Sequence, residues 1–524
     1  MELELQKEKI GTNKKIYAGR AEHIETAEII VPDYLPDARA VISSQARINI
    51  KDKSAADGKI TINGEICFTA LISADGGNIP VCASGRAPFK EVFPVPGETL
   101  KTFVKVRASL GQSEAHVINS RKIGFRAVAE IDVSAFEPES LDTVSGFSSD
   151  IHIESLKTPQ SLCLFSSYGE KQFVIEEDLF LPQTKPSAKE LLSYRASLFP
   201  EDVKLISNKA IIKGTAKIFV LYLGDEDESA LETFESEIPF SLIADAAGVD
   251  ETHEAETVFS ISDVSVSMAH GQSGRTVSVS ISALACVSAY RRVSLESITE
   301  AFSTTHELKL KSDDSPVLSL FETKRTPISI RDAISPPEGT VISKVLDVCG
   351  ELSAFDAEYR AGEIRLSAGV DVRALCIGSD GAAFCLMRTL PVSLTVTTNA
   401  EKAEAEIVNP FFEISHNLNM SGEIEIKLHG EAVIHIFEHA PFTRISAAEA
   451  TEKTGEDDSA RPALFACFPE KGETVWNIAK KYSASPDDII GANKLSCGVQ
   501  SVLETSRVLL IPRTRPSEKK QKEE

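Results

Sequence analysis

The feature that most constrains the fold is a spacing that recurs. Pro32 closes the apolar run Ile29-Ile30-Val31, and Gly64 lies 32 positions later inside Lys59-Ile60-Thr61-Ile62-Asn63-Gly64-Glu65-Ile66-Cys67-Phe68. Pro182 closes Leu179-Phe180-Leu181, and Gly214 lies 32 positions later inside Ala210-Ile211-Ile212-Lys213-Gly214-Thr215-Ala216-Lys217-Ile218. A third start at Pro336 puts Ala368 at the same offset. An apolar-Pro-apolar step follows each time, at Ala87-Pro88-Phe89, Ile238-Pro239-Phe240 and Leu390-Pro391-Val392. Its proline lies 24, 25 and 23 residues past the Gly or Ala. Self-similarity on this scale means one structural unit used three times.

Each copy ends in alternating apolar and polar residues, as in Ile123 to Val133, Val277 to Val287 and Ile424 to Ile436. Period two is the signature of half-buried antiparallel strands. Gly64 and Gly214 predict a bulge or a close backbone approach in mid-strand. Ala368, with Gly369 beside it, predicts a shifted register in the third copy. The chain therefore reads as mainly β, with repeats over 22–137, 169–293 and 326–439 and linkers near 138–168, 294–325 and 440–462. The last linker, poor in large apolar residues, is expected to be flexible. A small βααβ domain follows over 463–512, then a disordered tail over 513–524.

Composition bounds the function. With 42% hydrophobic and 25% charged residues the chain is globular. Its formal net charge is −23. Residues 464–512 hold five acids and five bases, so the acidity lies upstream. An acidic body argues against nucleic acid or anionic lipid as the main partner. The first residues carry no apolar signal-peptide core, and no run of eighteen apolar residues predicts a membrane span. Nine scattered cysteines without a Cys-x-x-Cys pair suit reduced thiols and a cytoplasmic setting.

The C-terminal unit reads as strand, helix, helix, strand. Val475, Ile478, Ala479 and Tyr482 share one helical face, with Thr474 as N-cap. Ser485-Pro486-Asp487-Asp488 opens a second helix, in which Ile489 and Ile490 supply the buried side. Val508 to Ile511 forms a strand that stops at Pro512. This pattern resembles the LysM module, which binds glycans containing N-acetylglucosamine, or proteins. The resemblance implies a groove between the loop opening the first helix and the loop after the second. Carried over to this chain, its residues are Gly472, Glu473, Thr474, Val475, Asn493, Lys494 and Leu495. Trp476, the single tryptophan, is read either as a partner-facing anchor or as helix packing. The stretch from Ser496 to Ser506 is longer than the usual connection, which implies a remodelled groove edge.

Three such repeats followed by a LysM module resemble the SPOCS-repeat coat-morphogenesis proteins of spore-forming clostridia. The resemblance implies a non-enzymatic assembly adaptor, working in the mother cell at the forespore and spore-coat surface. It implies a LysM module that binds the morphogenetic ATPase of the coat basement layer. The alternative is a protein that binds peptidoglycan of cortex or wall.

No residue pattern predicts catalysis, a metal or a cofactor. His435-Ile436-Phe437-Glu438-His439 matches the His-x-x-Glu-His pattern of zinc peptidases, but that chemistry needs a helix to gather both histidines beside the glutamate. Here the pattern ends an alternating strand, which puts Glu438 on the opposite face. Cys376 and Cys385 flank a hairpin at Gly378-Ser379-Asp380-Gly381 and read as reduced buried thiols.

Overall fold

The computed structural model describes residues 1–74, 80–95, 101–225, 231–269, 274–353, 356–453, 463–496, 498–505 and 508–512, without the side chains of 409–411. The 454–462 part of the expected linker and the tail over 513–524 lie outside the described residues.

The alternating runs form strands. The first repeat consists of β1 (Glu4–Ile30), β2 (Ala38–Ala56), β3 (Lys59–Ala74), β4 (Pro80–Pro94), β5 (Phe103–Asn119) and β6 (Lys122–Ser148). They make two antiparallel sheets, ordered β1-β6-β5 and β2-β3-β4. On β6, alternate residues from Ile123 to Ala135 are buried, and they face Ile62, Ile66 and Phe68 of β3 across one core. Phe68 and Phe125 lie 5.1 Å apart at its centre. Each such side chain contributes roughly 1.5–3 kcal/mol by leaving water. Asp57 and Gly58 take positive φ between β2 and β3, as a two-residue hairpin turn requires.

The second repeat repeats this order with β7 (Glu154–Phe180), β8 (Ala188–Ile206), β9 (Lys209–Gly224), β10 (Leu231–Asp245), β11 (Glu254–Met268) and β12 (Thr276–Phe302). In the third, the strands are β13 (His306–Asp314), β14 (Val317–Ile334), β15 (Ile342–Leu352), β16 (Asp356–Arg360), β17 (Glu363–Gly378), β18 (Ala383–Thr397), β19 (Glu404–Leu418), β20 (Ile424–Ala440) and β21 (Thr443–Glu452). The sheet β14-β20-β19 faces a second sheet in which β17 pairs with β15, β16 and β18.

The mid-strand glycines mark both a bulge and a close approach. Gly64 opposes Phe89, and Gly214 opposes Phe240. The adjoining strands shift register opposite each glycine, between Ile50 and Asp52 and between Pro200 and Asp202. A Cβ on Gly214 would fall 2.6 Å from the Phe199 carbonyl oxygen and 2.7 Å from the Phe240 ring. The expected register change in the third repeat does not occur. Ala368 opposes Val392, as the glycines oppose phenylalanines. The different proline spacings come from the hairpin connections after β3, β9 and β17, which hold five, six and four residues.

The expected linkers near 138–168 and 294–325 are largely strand. β1 and β6 continue past the end of β5 as a two-stranded ribbon, so the first repeat starts before residue 22. β7 with β12 and β13 with β21 form the equivalent ribbons. Residues 443–452, expected in a flexible linker, are the strand that pairs with β13. The three ribbons pack their apolar sides together into a stem, through Leu141, Leu162, Leu164, Leu295 and Phe442, and then Val144, Ile298 and Ile445. A ribbon shows only one modest apolar stripe, and the other two ribbons supply the surface that buries it.

The repeats also meet away from the stem. Leu71, Leu221 and Leu375 occupy the same position in β3, β9 and β17 and share one buried cluster, so the three sandwiches close round a common axis. Polar contacts cross between repeats there. Arg195 of the second repeat pairs with Asp347 of the third at 2.9 and 3.2 Å, and Arg373 of the third donates to the Ser44 carbonyl of the first while pairing with Glu351 of its own repeat at 2.5 Å.

Candidate functional site

The C-terminal module consists of β22 (Leu464–Cys467), α1 (Val475–Tyr482), α2 (Pro486–Asn493) and β23 (Leu509–Pro512), with β22 and β23 antiparallel. Gly472 has φ +90 in the turn before α1, a conformation that favours glycine. Thr474 caps α1 in a reciprocal box with Asn477. Pro486 is at the first position of α2, after Ser485 at the N-cap position. Val475, Ile478, Ala479, Ile489, Leu509 and Ile511 form the core. Tyr482, expected on the apolar face, is exposed beside Phe465.

The structure divides the predicted groove residues. Gly472 and Lys494 are exposed, and Glu473 and Thr474 are partly exposed. The Glu473 carboxylate accepts from the Glu470 amide at 2.8 Å and from Lys481 at 3.4 Å. Val475 is fully buried in the module core, and Leu495 packs against that core. Asn493 ties α2 to β23: its Nδ2 donates to the Ile489 and Leu510 carbonyls at 2.8 and 2.6 Å, and its Oδ1 accepts from the Leu510 amide at 2.7 Å.

Trp476 is buried, 3% exposed, and faces this chain's own stem. Its ring lies 5.0 Å from Phe302 of β12, edge to face. Its Nε1 donates to Glu300 Oε2 at 3.0 Å, and Lys480, one helical turn on, donates to the same oxygen at 2.9 Å. Hydrogen bonds from Lys480 and then Trp476 hold the Glu300 carboxyl below the usual carboxylate range. Of the two readings of Trp476, the structure shows packing, against β12 of the second repeat as well as within the module. No local sequence signal points to Glu300 and Phe302.

The long connection after α2 folds back on the first loop. Trp476 donates its amide to the Val499 carbonyl at 3.0 Å, Leu503 donates to the Glu473 carbonyl at 3.0 Å, and Thr474 bridges Val502. Backbone groups at one side of the predicted groove are thus bonded to this chain.

The other candidates are structural. His435 and His439 lie on β20 in alternation with Glu438. His435 is buried and binds Glu256 of the second repeat at 2.9 Å, while His439 binds Glu404 at 2.8 Å. Among the described residues no three His, Cys, Asp or Glu side chains gather as a metal would need. Cys376 faces the sandwich core, and Cys385 lines the cavity at the axis beside Arg373. Burial pushes the Cys376 thiol up to about 12. No described helix is long and apolar enough to cross a membrane.

Comparison with known families matches this geometry. A profile described as SipL, SPOCS domain, covers residues 187–269, which hold the four inner strands of the second repeat. A LysM domain profile covers residues 470–512. The chain thus combines a SPOCS domain, which ties it to sporulation, with a LysM module, a type associated with peptidoglycan binding. Both are non-catalytic domain types. No curated protein and no solved structure matches the chain.

Proposed function

We propose that this protein is a non-enzymatic adaptor in spore-coat assembly. The closed three-repeat body presents its outer faces to coat proteins, and the LysM module tethers it to a protein of the basement layer. In this reading the partner is the morphogenetic ATPase of that layer, and the site of action is the mother-cell side of the forespore surface. The observation that carries the choice of a protein over a sugar is the engagement of the groove backbone. A glycan laid in such a groove is recognised largely by hydrogen bonds from loop backbone and small polar groups. Here the Trp476 amide and the Glu473 carbonyl are bonded to Val499 and Leu503. A protein partner can instead use side-chain contacts on the module's outer surface.

The second reading, peptidoglycan binding, keeps Gly472, Glu473, Thr474 and Lys494 as an outward-facing remnant of the groove. A paired capture experiment with the full chain separates the two. One arm uses purified peptidoglycan, and the other the purified basement-layer ATPase. Capture of the ATPase without retention on peptidoglycan is the expected result. Retention on peptidoglycan that chitin oligomers compete away, without ATPase capture, overturns the adaptor reading.

A further inference from the structure

The three ribbons of the stem share a device that the second one has modified. Each carries a hydroxyl residue at a bulge: Ser145 in β6, Thr299 in β12 and Ser446 in β21. Each hydroxyl bonds back to the neighbouring strand, Ser145 to the Gln6 carbonyl, Thr299 to Leu156 and Ser446 to Lys311. A bulge re-aims the residues that follow it. The next residue is Gly146 in the first repeat, Glu300 in the second and Ala447 in the third. Two residues further stand Ser148, Phe302 and Glu449. Only the second ribbon thus offers a carboxylate and an aromatic ring together at this place, and the LysM module sits against that pair.

We propose that Glu300 and Phe302 form a dedicated docking site for the LysM module, and that Glu300 acts as its latch. The module presents Trp476 and Lys480 from one face of α1, and both reach a single carboxylate oxygen. Phe302 meets Trp476 edge to face, Leu156 packs at the edge, and Lys453 spans the junction from the Ser303 and Thr304 carbonyls to Ser483 Oγ at 2.7 Å. The contact is small, and the side chains of Lys480 and Glu300 remain 51% and 45% exposed. Water and salt therefore compete for the latch, so docking is reversible. Closed, it hides Trp476 and fixes the module's orientation on the stem. Any partner that takes Trp476 must first open it. This holds whichever ligand the module binds.

The chain has one tryptophan, so its fluorescence reads the latch directly. In the full-length protein, Glu300→Ala, which supplies the third repeat's residue, should shift Trp476 emission to longer wavelength and raise acrylamide quenching. Removing hydrogen bonds to a charged group shifts the docked equilibrium on the order of ten-fold. Glu300→Gln keeps an acceptor but loses the charge, so it should fall between wild type and Ala and lose sensitivity to salt. Hydrogen exchange in the same samples should leave α1 protected, which separates undocking from unfolding. A Trp476 in Glu300→Ala as shielded as in wild type overturns the proposal, and so does an emission shift accompanied by loss of α1 protection.

Discussion

The third repeat reaches the strand order of the first two by different local means. In the first two repeats, the long strands β1, β6, β7 and β12 run unbroken for 27 residues each. In the third, Pro316 separates β13 from β14, and Pro441 separates β20 from β21. A proline cannot donate to a ladder, but the Ser315 amide still reaches the Phe442 carbonyl at 3.1 Å and keeps the ribbon in line. The turn after the first long strand differs in the same way. Arg121 clamps it in the first repeat by donating to the Leu35 and Pro32 carbonyls at 2.8 and 2.6 Å. Arg275 does so in the second, to Lys185 and Pro182. The third has Glu423 at this place, and it accepts from Ser335 at 2.7 Å, while Arg388 of β18 donates to the Ala333 carbonyl at 3.1 Å. The lesson is that topology and register are shared, whereas the polar fastenings are particular to each repeat. What the repeats have in common makes the sandwich, and what differs decides how the three fit together.

The contact most particular to the third repeat should also be the most costly to break. Arg373→Ala removes the partner of Glu351 and the donor to Ser44, and should lower stability by about 3 kcal/mol, measured by denaturant unfolding. The loss should fall on the junction with the first repeat, which hydrogen exchange can locate. The Gly-to-Ala difference can be tested by exchange between repeats. Gly214→Ala forces a Cβ against Phe240 and the Phe199 carbonyl and should cost about 1–3 kcal/mol. Adding Phe240→Val, the pairing used by Ala368 and Val392, should relieve the ring clash and recover part of that loss. No recovery would mean that the carbonyl contact alone sets the need for glycine.

Smaller effects refine the picture. Arg275→Ala should open the turn after β7 at a cost of about 1–2 kcal/mol, with exchange rising at Leu181 and Ala188. Thr474→Ala removes the α1 cap and should cost the module about 1 kcal/mol, read from its melting. The seam between the two sheets gives the subtlest contrast. In the first repeat His23 joins β1 to Glu91 of β4 at 2.6 Å, while the second repeat packs Phe173 on Phe240. Burial pulls the His23 imidazole down, but hydrogen bonds to Glu91 and Glu25 carry it above its ordinary value. A raised value means that the folded state holds the proton more tightly, so the stabilisation is full below the unfolded value near 6.5. It is lost as pH rises through the folded value. Protection from exchange at the seam of the first repeat, corrected for the intrinsic pH dependence of amide exchange, should therefore fall as pH rises above about 6.5, while protection at the Phe173 seam should not change.

Much of the site was legible, but not its setting. Thr474, Gly472 and Pro486 have local roles that depend on a few neighbouring residues, and such roles can be read from a sequence. The strand assignment of His435 to His439 was legible for the same reason, since alternation alone separates Glu438 from the histidines. Trp476 was ambiguous because an apolar side chain on a short helix packs on whatever lies nearest. Here that is Phe302, 174 positions earlier in the chain. The stem was missed because each ribbon carries only a thin apolar stripe, such as Leu141 and Val144 among polar neighbours, which alone does not predict burial.

By itself, then, the sequence determined what is short-range and periodic. Alternation set the strands, Gly64 and Gly214 marked the mid-strand bulges, and caps set the two helices. Tertiary structure alone decided that three sandwiches close round Leu71, Leu221 and Leu375, that their long strands share a stem, and that the LysM module docks on the second ribbon. Those outcomes depend on surfaces that become complementary only after each unit has folded, and burial between folded surfaces leaves no period along the chain.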